Sequence, residues 1–155
     1  MSMIGEFGIC PKSNYEELES LIKNDKLTEA DALIKEILSE IKISAAKLEN
    51  DKCSGEVFIA LFHYLETACG IDVRHNLESF GKEWRDITGD FDVIVFCEKE
   101  RILSAEDRVD CDELSQFIND FFQIDYENAG QTACDVLFHN LKNMGTDNVL
   151  IWHLF

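Results

Sequence analysis

The run Asp92-Val93-Ile94-Val95-Phe96-Cys97 decides how this chain is expected to fold. After its aspartate the run is continuous, apolar and mostly β-branched, which is typical of a strand that is buried on both faces. Strand character is also found in residues 2–10, which are followed by the only proline, Pro11. The apolar residues 149–155 have strand character as well. The sequence therefore predicts a small sheet of three strands with helices packed on it.

Between these strands, apolar residues recur at intervals of three and four, which predicts helices. Ser13 and Glu16 form a capping-box signal for a short first helix. Thr28 and Asp31 give the same signal for a longer second helix, whose apolar stripe extends over residues 33–48. The predicted order therefore continues from the first strand into two helices.

Three further helices are predicted on the same grounds. One begins after Ser54 and ends at Gly70, and another covers residues 132–145. A helix over residues 104–124 begins at a Ser104 and Asp107 cap, and its apolar stripe consists of Leu114, Phe117, Ile118, Phe121 and Phe122. Residues 71–90 are irregular and read as a loop with at most one short strand. We expect an α/β (α+β) fold in one domain, residues 1–155, with helices packed on a small mixed central β-sheet.

The charge of the chain limits its partners. The 155 residues include 31 Asp and Glu but only 14 Lys and Arg, which gives a formal net charge of −17. A surface this negative repels nucleic-acid phosphates and anionic membranes, and it attracts basic proteins. Hydrophobic residues make up 46% of the chain and include 11 Phe, so the acidity is not that of a disordered chain.

The sequence also bears on location. No apolar run approaches the roughly 18 residues that span a bilayer. The first residues lack the basic and apolar regions of a signal peptide. We therefore expect a soluble, cytoplasmic protein.

The spacing of cysteine, histidine and acidic residues predicts no metal site, cofactor or catalytic residue. No two of the six cysteines are closer than 14 residues, so no CxxC pair exists, and most are expected to be small buried hydrophobes. Residues 110–113 lack the spacing of a calcium loop, and no HExxH pair is present. Cys69 and Cys134 are the two placements that a nucleophilic thiol could use. Cys134 is the better one because it is predicted near a helix start, although surrounding carboxylates oppose a thiolate there.

Several landmarks spread along the chain resemble the YfbM-like family of small bacterial proteins. They are Met3-Ile4-Gly5, Glu16-Glu17-Leu18, Phe62-His63-Tyr64-Leu65, Ile102-Leu103-Ser104-Ala105-Glu106-Asp107 and the apolar strand at the end. The family's Asp-Lys pair lies further upstream here, at Asp51-Lys52, and its nearby Trp is absent. The resemblance implies a mixed α/β domain and adds no activity, because none is established for the family. Relatives of this kind are sometimes found beside bacterial toxins, which favours an inhibitory role.

The negative charge is concentrated late in the chain. Residues 1–77 hold 14 acids and 8 bases, whereas residues 78–155 hold 17 acids and 6 bases. The densest segment, residues 98–128, has 10 acids and 3 bases. Such a run is consistent with a solvated face that only keeps the protein soluble. It is also consistent with a docking surface in which carboxylates surround an aromatic anchor.

We expect the docking surface, and predict which residues form it. The charged face consists of Asp86, Asp90, Asp92, Glu98, Glu100, Asp107, Asp110, Asp112 and Glu113, and its anchors are Trp84 and Phe91. The predicted function is a non-enzymatic acidic binding protein, a bacterial immunity protein or inhibitor that neutralises a basic toxin such as a nuclease. A nuclease holds phosphates with Lys and Arg, which an acidic face can occupy. The alternatives are a small hydrolase-like enzyme with an acidic cleft, and an inhibitor that mimics DNA. No direct contact with nucleic acid or membrane is expected, and the oligomeric state stays open.

Overall fold

A four-stranded antiparallel sheet lies between two layers of helices. The computed structural model describes residues 5–43, 47–48, 55, 57–71 and 93–154. Its strands are β1 (Gly5–Pro11), β2 (Lys47–Leu48), β3 (Val93–Cys97) and β4 (Asn148–Leu154), in the spatial order β2-β1-β4-β3. Every described strand pair is antiparallel, so the α+β class is confirmed, while the sheet is antiparallel and not mixed as predicted.

The described helices number six, with one short 3₁₀ turn. They are α1 (Lys12–Lys23), α2 (Leu27–Ile43), α3 (Val57–Thr67), α4 (Lys99–Leu103), α5 (Cys111–Phe122) and α6 (Ala129–Asn143), and the 3₁₀ turn is Glu106–Arg108. Within the described ranges no helix is long and apolar enough to cross a bilayer.

The two faces of the sheet bury separate hydrophobic cores. Trp152 and Leu154 of β4 point into a core shared with α3, α5 and α6, whereas Val149 and Ile151 point into a core shared with α1 and α2. Both faces of β3 are covered in the same way, which confirms the prediction made from its continuous apolar run. His153 is fully buried on the face opposite to Trp152, where it lies 3.8 Å from the Glu6 carboxylate.

Several predicted helix boundaries were wrong, because side-chain caps were inferred where the chain turns by other means. Helix α1 begins at Lys12 after Pro11, with no side-chain cap, so Ser13 already lies inside it. Helix α2 begins at Leu27 and ends at Ile43, and residues 47–48, assigned to its stripe, form the short strand β2 instead. Ser104 is the C-cap of α4, a helix that the sequence analysis missed.

Gly70 lies where the end of α3 was predicted, whereas α6 begins earlier than predicted. Gly70 has a left-handed backbone (φ +69°) at the end of α3, as a residue following a helix often does. Helix α6 begins at Ala129 and not near Thr132, so Cys134 lies in its second turn. The predicted cap Ser54 and the predicted loop after residue 71 lie outside the described residues.

Buried thiols make the fold sensitive to alkali. Burial raises the pKa of Cys97 from 9.0 to about 12, and burial with the Glu40 carboxylate raises that of Cys10 to about 11. Well below pH 9 these thiols are protonated in both the folded and the unfolded state. Above it the unfolded chain releases protons that the folded chain keeps, so stability falls as the pH rises.

We expect Cys97→Ala to flatten this pH dependence. A single such thiol contributes a slope of about 1.4 kcal/mol per pH unit between roughly pH 9 and 12. Urea unfolding of the wild type and the variant at pH 7, 9 and 10.5 measures the slope. Equal slopes for the two proteins would contradict a protonated, buried Cys97 thiol.

Candidate functional site

The start of α5 gathers three of the predicted carboxylates. Asp110 precedes the helix with extended backbone, and its Oδ1 accepts hydrogen bonds from the backbone N–H groups of Asp112 (3.0 Å) and Glu113 (3.1 Å). The Asp110 N–H in turn donates to the Tyr64 hydroxyl on α3, at 3.3 Å. Burial raises the pKa of Tyr64, and the Glu113 carboxylate adds to the increase. Asp110 is therefore a helix cap, and Asp112 and Glu113 are exposed beside it.

Asp110→Ala is expected to destabilise the protein by about 1 kcal/mol, because two N–H groups at the start of α5 lose their acceptor. Asp110→Asn keeps a side-chain oxygen and should cost only a few tenths of that amount. Chemical unfolding of both variants at neutral pH separates capping from charge. An Asn variant as unstable as the Ala variant would contradict the capping role.

The described carboxylates of the predicted charged face belong to two segments, the start of α4 and the stretch from the 3₁₀ turn to the start of α5. Glu98 and Glu100 flank the start of α4, where Lys99 and Arg101 alternate with them. They line a cavity of about 220 Å³ together with Lys12 and Lys99 at the loop before β4. Nearby cations therefore offset this part of the predicted face.

The other part has almost no cations. Residues 109–141 contain seven acids and no Lys or Arg. Arg108, just before them, directs its Nη1 to the Cys69 carbonyl oxygen at 2.6 Å, and Lys142, just after them, pairs with Glu106 at 2.7 Å. Among the ten acids of residues 98–128, Glu106 is the one paired with a lysine or arginine of the described ranges. The other nine carboxylates of this segment form no ion pair with a Lys or Arg of the described residues.

Two aromatic side chains are exposed within this same segment. Phe121, at the end of α5, is 44% exposed, and Tyr126, in the following loop, is 51% exposed. They are the two exposed large hydrophobic residues of the described ranges. The Phe121 ring lies 5.2 Å from that of His63 and 4.8 Å from that of Phe122. We call Asp112, Glu113, Asp120, Phe121, Asp125, Tyr126 and Glu127 the α5 surface.

The loop that carries Tyr126 is held against α5. The Asn119 side chain accepts a hydrogen bond from the Tyr126 N–H (3.1 Å) and donates one to the Tyr126 carbonyl oxygen (3.2 Å). Gln123 and Asn128 adopt left-handed backbone (φ 53° and 54°) and turn the chain at either end of the loop. A surface fixed in this way loses little conformational entropy when a partner binds.

Sequence reasoning placed the anchors elsewhere and assigned Phe121 to a buried stripe. The predicted anchors Trp84 and Phe91 and the carboxylates Asp86, Asp90 and Asp92 lie outside the described residues. Asp107 is exposed in the 3₁₀ turn before α5. The sequence feature that could have identified Phe121 and Tyr126 as anchors is their position in a stretch without Lys or Arg.

A second feature is a cavity of about 380 Å³ where the 3₁₀ turn and the start of α5 face α6. Its lining includes Cys111, Cys134, Asp135, His139 and Lys142. Burial raises the pKa of Cys134, and the neighbouring Cys111 thiol raises it further. A nucleophilic thiol needs a lowered pKa, so the raised pKa of Cys134 does not support a role as a nucleophile.

No group of three or more His, Cys, Asp or Glu able to hold a metal occurs within the described part of the chain.

Comparison with known proteins gave no match among family models, curated proteins or solved structures. The resemblance to the YfbM-like family therefore stays a prediction.

Proposed function

We propose that this chain is a non-enzymatic binding protein that captures a basic protein through the α5 surface. The observation that carries the proposal is the coincidence of the two exposed aromatics with a segment that has seven acids and no Lys or Arg. The biological role that fits is a bacterial immunity protein, or a comparable inhibitor of a basic toxin such as a nuclease.

Each part of the surface has its own physical task. Exposed carboxylates attract a basic partner over a distance and speed its encounter, an effect that salt weakens. Aromatic anchors act at contact, because burying them removes a large apolar area from water. A partner would thus be captured quickly by charge and kept by Phe121 and Tyr126.

The proposal can be tested with two variants of equal net charge. One replaces Asp112, Glu113, Asp120, Asp125 and Glu127 of the α5 surface by their amides, and the control does the same to Glu16, Glu17, Asp25, Glu29 and Glu36, which are exposed on α1, α2 and the turn between them. Both variants carry five fewer negative charges, so the formal net charge rises from −17 to −12 in each. Each chain is immobilised and exposed to an extract of its native host.

The expected result is one basic protein that the wild type and the control variant retain at low salt and that the α5 variant loses. Its affinity for the wild type should fall steeply as salt is raised. Equal retention by the two variants would show that only net charge matters, and capture of no basic protein by the wild type would sink the proposal.

An enzyme that uses the cavity between α5 and α6 is the second candidate. The cavity brings Cys134 near a histidine and a carboxylate, which favours it, whereas the raised pKa of Cys134 opposes it. We expect iodoacetamide at pH 7.5 to leave Cys134 unmodified in the folded chain while the half-buried Cys111 reacts. Rapid alkylation of Cys134, read by peptide mass mapping, would favour the enzyme.

A further inference from the structure

We propose that Cys111 and Cys134 form a redox-active dithiol, which a low-molecular-weight disulfide such as glutathione disulfide converts into an intramolecular disulfide. The two cysteines are 23 positions apart in sequence and belong to different helices. The proposal does not depend on the proposed binding function.

The packing of α5 against α6 brings the two thiols together. A Cβ on Gly130 would lie 2.4 Å from the Cys111 carbonyl oxygen, so only glycine permits this approach of the helices. The Gly130 N–H donates to the Ser115 hydroxyl at 2.8 Å, and that hydroxyl donates to the Cys111 carbonyl oxygen at 2.9 Å. Cys134 follows Gly130 by one helical turn and therefore shares its face of α6.

The two thiols are neighbours and differ in accessibility. The Cys111 thiol lies near enough to that of Cys134 to raise its pKa. Cys111 is half-buried, while Cys134 is buried. Both line the 380 Å³ cavity, which gives a small reagent a route to them. The more accessible Cys111 thiol therefore attacks the low-molecular-weight disulfide first. The Cys134 thiol then attacks the mixed disulfide that forms on Cys111.

Two successive thiol–disulfide exchanges oxidise the protein dithiol. The Cys111 thiolate attacks one sulfur of glutathione disulfide, and one glutathione leaves as a thiolate that takes up a proton. The Cys134 sulfur, on losing its proton, attacks the Cys111 sulfur of the mixed disulfide and releases the second glutathione. The protein dithiol is oxidised to a disulfide, and one glutathione disulfide is reduced to two glutathione thiols.

The absence of Lys and Arg from residues 109–141 makes the test direct. The reduced full-length chain is incubated with glutathione disulfide, blocked with N-ethylmaleimide and digested with trypsin, which leaves both cysteines in peptide 109–142. We expect this peptide to be lighter by two hydrogen atoms and to carry no maleimide. Cleavage after Glu113 and Glu127 should then leave its two ends joined until a reductant is added.

Variants identify the pair. Cys111→Ser and Cys134→Ser should each lower the yield of the oxidised peptide at least about tenfold, whereas Cys69→Ser, the control on a nearby thiol, should leave it unchanged. The oxidised wild type should unfold about 5 to 10 °C higher than the reduced chain. If a variant fails to fold, the mapping of the wild type still decides. A disulfide that includes Cys69, one between two chains, or a persistent glutathione adduct would overturn the proposal.

Discussion

Gly130→Ala is expected to destabilise the protein by about 3 kcal/mol or more, through a single added methyl group. Its Cβ would lie 2.4 Å from the Cys111 carbonyl oxygen and 2.7 Å from the Ser115 backbone nitrogen. Backbone atoms cannot rotate away as a side-chain tip can, so α5 and α6 must separate. Separation also weakens the hydrogen bond from the Gly130 N–H to the Ser115 hydroxyl, which is partly buried.

Urea unfolding at neutral pH measures this effect, and Gly70→Ala is the matched control. Gly70 has a left-handed backbone but open space around it, with no atom within 4 Å of an added Cβ. Its replacement should cost only about 1 kcal/mol of conformational strain. A Gly130 variant no less stable than the Gly70 variant would contradict the close approach of the two helices.

Continuous apolar runs in the sequence predicted the strands of the sheet but not the direction in which they pair. The continuous run of β3 and the apolar end of the chain predicted strands correctly, because sheet strands covered on both faces must be apolar throughout. The run did not reveal the direction of pairing. An antiparallel sheet with helices on both faces produces the same pattern as a parallel one, so the sheet was wrongly expected to be mixed.

Capping signals were the weakest guide, since a serine or threonine followed by an acid occurs often and its geometry is not visible in sequence. Ser13 and Thr28 lie inside their helices, whereas Asp110, which does cap α5, was counted only as a charge. The meeting of Cys111 with Cys134 was also invisible. It depends on a glycine contact between two helices, which the spacing of cysteines along the chain does not encode.

The acidic character of the candidate site was readable from composition, but its anchors were not. Helical periodicity placed Phe121 in the same stripe as Leu114 and Ile118, which are fully buried. Phe121 lies one turn later, where α5 ends, and 44% of it reaches solvent. A stripe therefore predicts which side of a helix faces the core, and it does not predict how far burial extends along the helix.

Phe121→Ala and Tyr126→Ala should each weaken binding of the captured basic partner by about 2 kcal/mol, or roughly thirtyfold. Anchors at the centre of an interface contribute through apolar burial, so the loss should persist at high salt. Each side chain is about half exposed in the free protein, so folding stability should fall less than it does when a fully buried aromatic residue is truncated. Titration calorimetry at low and high salt measures the affinity, and chemical unfolding checks the fold.

Leu33→Ala is the control, because Leu33 is a partly buried hydrophobic residue on α2, on the opposite side of the sheet. It should lower stability and leave the affinity unchanged. The aromatic and amide variants also separate the two contributions, since amides at the α5 surface should slow association whereas loss of an anchor should speed dissociation. If both aromatic variants bind as tightly as the wild type, the α5 surface supplies charge alone and Phe121 and Tyr126 are not its anchors.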